Sequence, residues 1–202
     1  MIDSGTDYWF ALRVRNSNPI RLMRMKELLD NEAGVAATYV AMRFQRVSPT
    51  KIDLAPAVNN LIFVRTTYEH MKSIKGNKVL YEPLSYIMHP VSDAHGKLHS
   101  EILTVPDRMM NDFIRVTSEA NDKVVYFDNL SYACKPGQEV MITNGSFAGV
   151  KGVVKRIKGN VCVVIPIKQT IAVAITGLRR SQMVYLTEKE EPCQTIQSTT
   201  SE

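Results

Sequence analysis

Three histidines and an aspartate, His89, Asp93, His95 and His99, are the residues whose types and spacing first suggest chemistry. Imidazoles and carboxylates are ordinary ligands for a transition metal. Here they straddle a turn, Ser92-Asp93-Ala94-His95-Gly96, with no cysteine nearby, so no metal is expected. Cys134, Cys162 and Cys193 lie far apart and form no close pair, which argues against a zinc site and a disulfide framework and fits a reducing compartment. Gly145, Gly149 and Gly152 sit inside a β pattern rather than ahead of a helix, so they do not make a phosphate loop. No Ser/His/Asp or Cys/His arrangement stands out. An enzyme is not expected, nor is a cofactor.

Binding chemistry is better represented. The chain carries a net charge of +5, unevenly distributed. Residues 133–187 hold eight Lys/Arg against one Asp/Glu, while residues 119–132 and 188–202 are both acidic on balance. Lys151, Lys155, Arg156, Lys158 and Lys168 belong to the basic block. Such a block suits an acidic partner such as RNA, and it equally suits a soluble sheet with scattered surface lysines.

The elements that must position these residues can be read from patterning. Residues 8–14 read as a strand. Asn18-Pro19 starts a helix, because Asn accepts from free backbone N–H groups and proline suits the first helical turn. Ile20, Met23 and Leu28 form one apolar row of that helix, with Leu22, Met25 and Leu29 beside it, and Gly34 is its expected stop. Residues 37–44 read as a second strand, 45–58 with Pro49 and Pro56 as a loop, and 60–66 as a central strand. Thr67 caps a short helix ending at Gly76-Asn77. Short strands near 84–88 and 97–103 flank the histidine turn. The last N-terminal helix begins at Val105-Pro106-Asp107, with Met109, Met110, Phe113, Ile114 and Thr117 as a buried stripe. Few helices and hairpin-like connections favour an antiparallel sheet flanked by helices over a doubly wound parallel one. Residues 119–134 read as a linker, in which Val124-Val125-Tyr126-Phe127 is apolar enough to pair with a sheet edge.

From Lys135 the pattern becomes all-β. Residues 139–143 alternate, Asn144-Gly145 signals a hairpin, and three glycines permit the sharp curvature of a tiny barrel. Phe147 between them would fill the barrel mouth or face a partner. Five short strands in about 50 residues describe an SH3-like barrel. The whole is an α+β chain: 7–118, a linker at 119–134, the barrel at 135–187 and an acidic tail at 188–202.

The stretch Gly137-Gln-Glu-Val-Met-Ile-Thr-Asn-Gly-Ser-Phe-Ala-Gly-Val-Lys-Gly-Val-Val154 resembles the KOW motif of NusG-type transcription factors. Trp9-Phe10, Leu61-Ile62-Phe63-Val64 and Val105-Pro106-Asp107 are similar to signatures of the NusG N-terminal (NGN) domain. This resemblance spans about residues 7 to 187 and implies a transcription elongation or antitermination factor. In that family the N-terminal domain grips the clamp helices of RNA polymerase through an apolar depression and suppresses pausing and termination. The barrel reaches a ribosomal protein, the termination factor Rho, or RNA. The matching polymerase-facing positions are Leu61 and Phe63, with Leu84, Tyr86, Ile87 and Leu103 as neighbours. Arg13, Arg15, Arg43 and Arg46 are candidates to face nucleic acid, nascent RNA or non-template DNA, or an acidic polymerase surface.

The chain departs from the family where Phe-Pro-Gly-Tyr is usual and Ala57-Val58-Asn59-Asn60 stands instead. Residues 166–170 also lack the aromatic that general NusG factors present. Both departures resemble the specialised, operon-restricted antiterminators (UpxY/RfaH-like). No run is long enough to span a bilayer and residues 1–5 do not resemble a signal peptide, so a cytoplasmic, membrane-free role is expected.

Overall fold

The computed structural model describes residues 5–58, 60–93, 95–118, 123–127, 137–157, 159–167 and 171–186. It is a mixed α/β chain built mostly from antiparallel sheets with few helices. The N-terminal elements run β1 (Asp7–Val14), α1 (Pro19–Asp30), β2 (Ala37–Tyr39), β3 (Met42–Ser48), β4 (Lys51–Pro56), β5 (Leu61–Thr67), α2 (Tyr68–Gly76) and α3 (Lys78–Tyr81). They continue through β6 (Leu84–Tyr86), β7 (Met88–Ser92), β8 (Leu98–Ile102), β9 (Thr104–Val105) and α4 (Asp107–Ser118).

Local chemistry starts the helices where the sequence signals them. The Asn18 side chain accepts from the Arg21 amide at 2.8 Å, and Pro19 opens α1. Thr67 accepts from the His70 amide at 3.2 Å and starts α2. Asp107 places a carboxylate in the first turn of α4, where it complements the helix dipole.

The main sheet has the order β2-β5-β1-β6, with β9 also on β1, and all its pairings are antiparallel. Its two faces follow from strand alternation. Phe10, Leu12, Ile62 and Val64 face one core with Leu22, Met25 and Leu29 of α1 and Met71 and Ile74 of α2. Trp9, Ala11, Leu61 and Phe63 face the other with Met110, Phe113 and Val116 of α4. The Phe63 and Phe113 rings meet with centroids 5.3 Å apart.

One expectation changes. Residues 45–58 are not a loop: β3 and β4 form a hairpin whose register runs from Met42 opposite Pro56 to Ser48 opposite Lys51. Pro49 lies in the turn and Pro56 at the strand end, positions where a missing N–H costs no ladder bond. Of the two apolar rows of α1, the buried one is Leu22, Met25 and Leu29, whereas Ile20 is 81% exposed.

The C-terminal strands are β10 (Val124–Phe127), β11 (Glu139–Ile142), β12 (Lys151–Ile157), β13 (Asn160–Ile167), β14 (Ile171–Thr176) and β15 (Met183–Tyr185). They form one sheet in the order β10-β14-β13-β12-β11-β15. The apolar stretch at 124–127 thus pairs with β14. Helix α4 touches β1 and β3 on one side and β13 and β14 on the other. A single buried cluster consequently runs from Trp9 and Phe63 through α4 to Val140, Phe147 and Val173. Polar ties cross the same seam: Arg115 donates to the Ser146 carbonyl at 3.1 Å, and the Tyr126 hydroxyl to the Met42 carbonyl at 3.3 Å.

Candidate nucleic-acid interface

The end of β1, the turn into α1 and the root of β3 converge on a cleft of about 840 Å³. Arg13 is the next-to-last residue of β1, opposite Leu61 on one side and Ser85 on the other. Arg15 follows it, Arg21 comes from the first turns of α1, and Arg43 from β3. The chain turns between Arg15 and Arg21 through Asn16, whose φ of 48° is the left-handed conformation that Asn tolerates better than most residues. Asn16, Ser17, Asn60 and Ser85 add polar groups to the lining, and Tyr126 of β10 forms a further part of the wall.

Among the described residues lining the cleft, four guanidinium groups accompany one carboxylate, that of Glu82. Arg15 pairs with that carboxylate and also donates to the Glu82 carbonyl at 2.8 Å. Arg21 donates to the Asn16 carbonyl at 3.0 Å. Among the described residues Arg13 and Arg43 have no ion-pair partner, and both are exposed. Burial pushes the Tyr126 hydroxyl up to about 12, with Tyr39 adding to the rise and Arg43 opposing it. Tyr126 is therefore neutral over the physiological range and acts as a hydrogen-bond donor. The cleft holds fixed positive charge and hydrogen-bonding groups, the equipment for binding an anion such as a phosphodiester.

Arg46, the fourth arginine singled out with Arg13, Arg15 and Arg43, lies farther along β3 opposite Ile52 and does not line the cleft. Arg21 and Tyr126 line it without having been singled out. Arg21 carried a usable signal, one turn beyond the Asn18 cap and so near the end of β1. For Tyr126 the apolar stretch 124–127 signalled pairing with a sheet edge, as it makes with β14, but not that this residue would reach the cleft.

The six apolar residues separate into two groups. Leu61, Phe63, Ile87 and Leu103 are gathered on the α4 side of the main sheet, all buried and in the cluster that continues into the C-terminal sheet. Leu84 and Tyr86 belong to the opposite core, with α1 and α2. All four are at most 5% exposed, and the Phe113 ring of α4 packs on Phe63. An exposed apolar groove of about 870 Å³ exists elsewhere, between α1 and the β3–β4 hairpin, lined by Ile20, Met23, Met42, Val47 and Leu54.

The basic residues of β12 are divided between its two faces. Lys151 and Lys155 project from one face of β12 and Arg156 from the other, as strand alternation demands. Lys151 and Arg156 are exposed, whereas the Lys155 ammonium is enclosed without a hydrogen-bond partner among the described residues. Phe147 is 4% exposed and belongs to the buried cluster shared with α4. Lys158 and Lys168 lie outside the described residues.

His99 pairs with Glu101 at 3.0 Å, and the Asp93 carboxylate accepts from the His95 and Lys97 amides at 2.9 Å each, closing the turn. Among the described residues no three His, Cys, Asp or Glu side chains are grouped to hold a metal. No described helix is long and apolar enough to cross a membrane.

No family model and no curated protein matches the chain. Among solved structures, the chain is similar to Thermotoga maritima NusG in a structure described as showing domain interaction. The two share 16% identity with a TM-score of 0.44, over 88% of this chain and 96% of that one.

Proposed function

We propose that the chain is a transcription elongation and antitermination factor of the NusG type. In this reading residues 7–118 bind RNA polymerase and suppress pausing or termination. Residues 135–187 form a KOW-type, SH3-like barrel that reaches a second partner, a ribosomal protein, Rho or RNA. The observation that carries the reading is how the KOW-like segment is built. Gly145 and Gly149 adopt φ of 86° and 87°, which side-chain-bearing residues avoid. A Cβ on Gly152 would stand 2.6 Å from the Val164 carbonyl oxygen, so the close passage of β12 and β13 requires glycine there. Gly145, Gly149 and Gly152 are thus each used for their backbone. The strand order also sets the last strand, β15, beside the first of the motif, β11, as a small closing barrel needs.

The departures at residues 57–60 and 166–170 favour a specialised, operon-restricted member acting in the cytoplasm. Polymerase capture through Leu61, Phe63, Ile87 and Leu103 requires the buried face under α4 to open. A second reading, an RNA- or ribosome-binding protein without polymerase activity, is favoured by the arginine cleft alone.

The test is co-elution of the full chain with core RNA polymerase, followed by transcription through a terminator. Co-elution with raised read-through is the expected result. Failure to co-elute at low salt, with RNA binding intact, selects the second reading.

A further inference from the structure

Strand β3 contributes to two unlike surfaces. Arg43 lines the arginine cleft, whereas Met42 and Val47, with Leu54 of β4, line the apolar groove of about 870 Å³ against α1. Helix α1 turns Leu22, Met25 and Leu29 to the core and leaves Ile20 and Met23 in the groove. The β3–β4 ribbon is a two-stranded sheet of its own. On it Phe44 stands opposite Leu54, and Ile52, two residues before Leu54, shares that face. Ile20, Met23, Phe44, Val47, Ile52 and Leu54 are each between 38% and 81% exposed. We infer that this surface is a two-fold dimer interface, in which the outer side of α1 and the β3–β4 ribbon of one copy pack on the same elements of a second copy.

The apolar strip is continuous, because Leu54 belongs both to the groove and to the ribbon face that carries Phe44 and Ile52. Monomers rarely expose apolar surface so concentrated. An isolated two-stranded ribbon is also marginally stable in water and gains from a cover. A stable dimer takes about 800 Å² from each copy, and six large side chains with their charged rim offer an area of that order.

The rim says what the cover is. Arg24 and Lys26 line the groove together with Glu27, Asp30 and Asp53. Lys26 already pairs with Asp30 at 2.6 Å, and Lys51 with Asp53 at 3.7 Å. Such a mixed rim gives a polyanion or an anionic membrane nothing to follow. A two-fold interface needs both signs in one patch, since residue i meets residue j and j meets i. Arg24 and Glu27 lie three residues apart on exposed positions of α1, and among the described residues neither has an ion-pair partner. With two α1 helices antiparallel across the axis, Arg24 of each copy stands level with Glu27 of the other. These two pairs set the register, while burial of the apolar strip drives association.

The experiment is sedimentation velocity of the full chain over a range of concentrations. Wild type should sediment as a dimer that dissociates on dilution. Phe44→Ser combined with Leu54→Ser should weaken association at least about tenfold. Val79→Ser, at a 92% exposed position on α3 outside the groove, should leave it unchanged. Arg24→Glu alone and Glu27→Arg alone should each be monomeric, because each sets like charges against each other across the axis. An equimolar mixture of these two variants should regain the dimer, since one copy then carries two carboxylates and the other two guanidinium groups. In dilute solution, where the copies are apart, all these variants should unfold as wild type does. A wild type that stays monomeric at every concentration overturns the inference, including the case in which the groove takes another protein. So does open-ended assembly, association undiminished in the Phe44 and Leu54 double variant, or a mixture of the charge variants that remains as monomeric as each alone.

Discussion

The two halves of the molecule hold positive charge in opposite ways. Residues 133–187 carry by far the larger excess in sequence, yet β12 turns Lys151 and Lys155 to one face and Arg156 to the other, and encloses the Lys155 ammonium. The N-terminal half carries only three more basic than acidic residues over positions 1–118, yet it brings four arginines to one cleft. Charge summed along a chain measures non-specific attraction, while a site needs charges that topology gathers. The junction of β1, α1 and β3 does the gathering, and a single strand cannot.

That contrast depends on the two halves being one packed body, and the largest effects test this. Phe113→Ala empties the centre of the shared cluster, between Phe63 and the C-terminal sheet. It should cost about 3–5 kcal/mol in denaturant unfolding, with both halves losing protection together. Unfolding of one half alone would break the comparison. Gly152→Ala should cost about 3 kcal/mol, because the added methyl meets the Val164 carbonyl, a backbone atom that cannot swing aside. A neutral Gly152→Ala would mean that β12 and β13 are farther apart than described.

Smaller effects sharpen where the charge acts. Arg13→Ser and Arg43→Ser should each weaken oligo(dT) binding about tenfold, the loss of one charge-assisted contact of about 1.4 kcal/mol, with melting temperature unchanged. Lys151→Ser should change affinity less than about twofold, since an isolated surface charge contributes little. The smallest effect belongs to α1. Ile20→Ser should stay within about 0.5 kcal/mol of wild type, whereas Leu22→Ala, two residues away on the buried row, should cost about 2–5 kcal/mol. Similar values for both would contradict the assignment of the inner row.

The fold was legible wherever a local signal decides the conformation. Asn18-Pro19, Thr67 and Asp107 start their helices because a capping group or a first-turn carboxylate acts within a few residues. The glycines of the KOW-like segment were legible for the same reason. The β3–β4 hairpin was not, since Pro49 and Pro56 resemble strand breakers until the register shows that neither owes the ladder a bond. The inner row of α1 was also hidden, because Ile20, Met23 and Leu28 make as good an apolar row as Leu22, Met25 and Leu29. Only the sheet decides which is covered. Of the cleft, Arg13, Arg15 and Arg43 could be named as candidates to face nucleic acid, but their convergence, the exclusion of Arg46 and the arrival of Tyr126 are long-range facts. The apolar set failed to converge for a related reason: residues from different strands share a type while strand alternation sends Leu84 and Tyr86 to one face and Leu61 and Phe63 to the other.

Whether the cleft or the basic block holds nucleic acid is tested most directly by the salt dependence of oligo(dT) affinity in two double variants. Each phosphate contact contributes about 0.7 to the slope of log K against log salt for a single strand. Arg13→Ser with Arg43→Ser should flatten the slope by about 1.4, while Lys151→Ser with Arg156→Ser leaves it near wild type. The reverse pattern, a flattened slope in the β12 pair and an unchanged one in the cleft pair, would contradict the account.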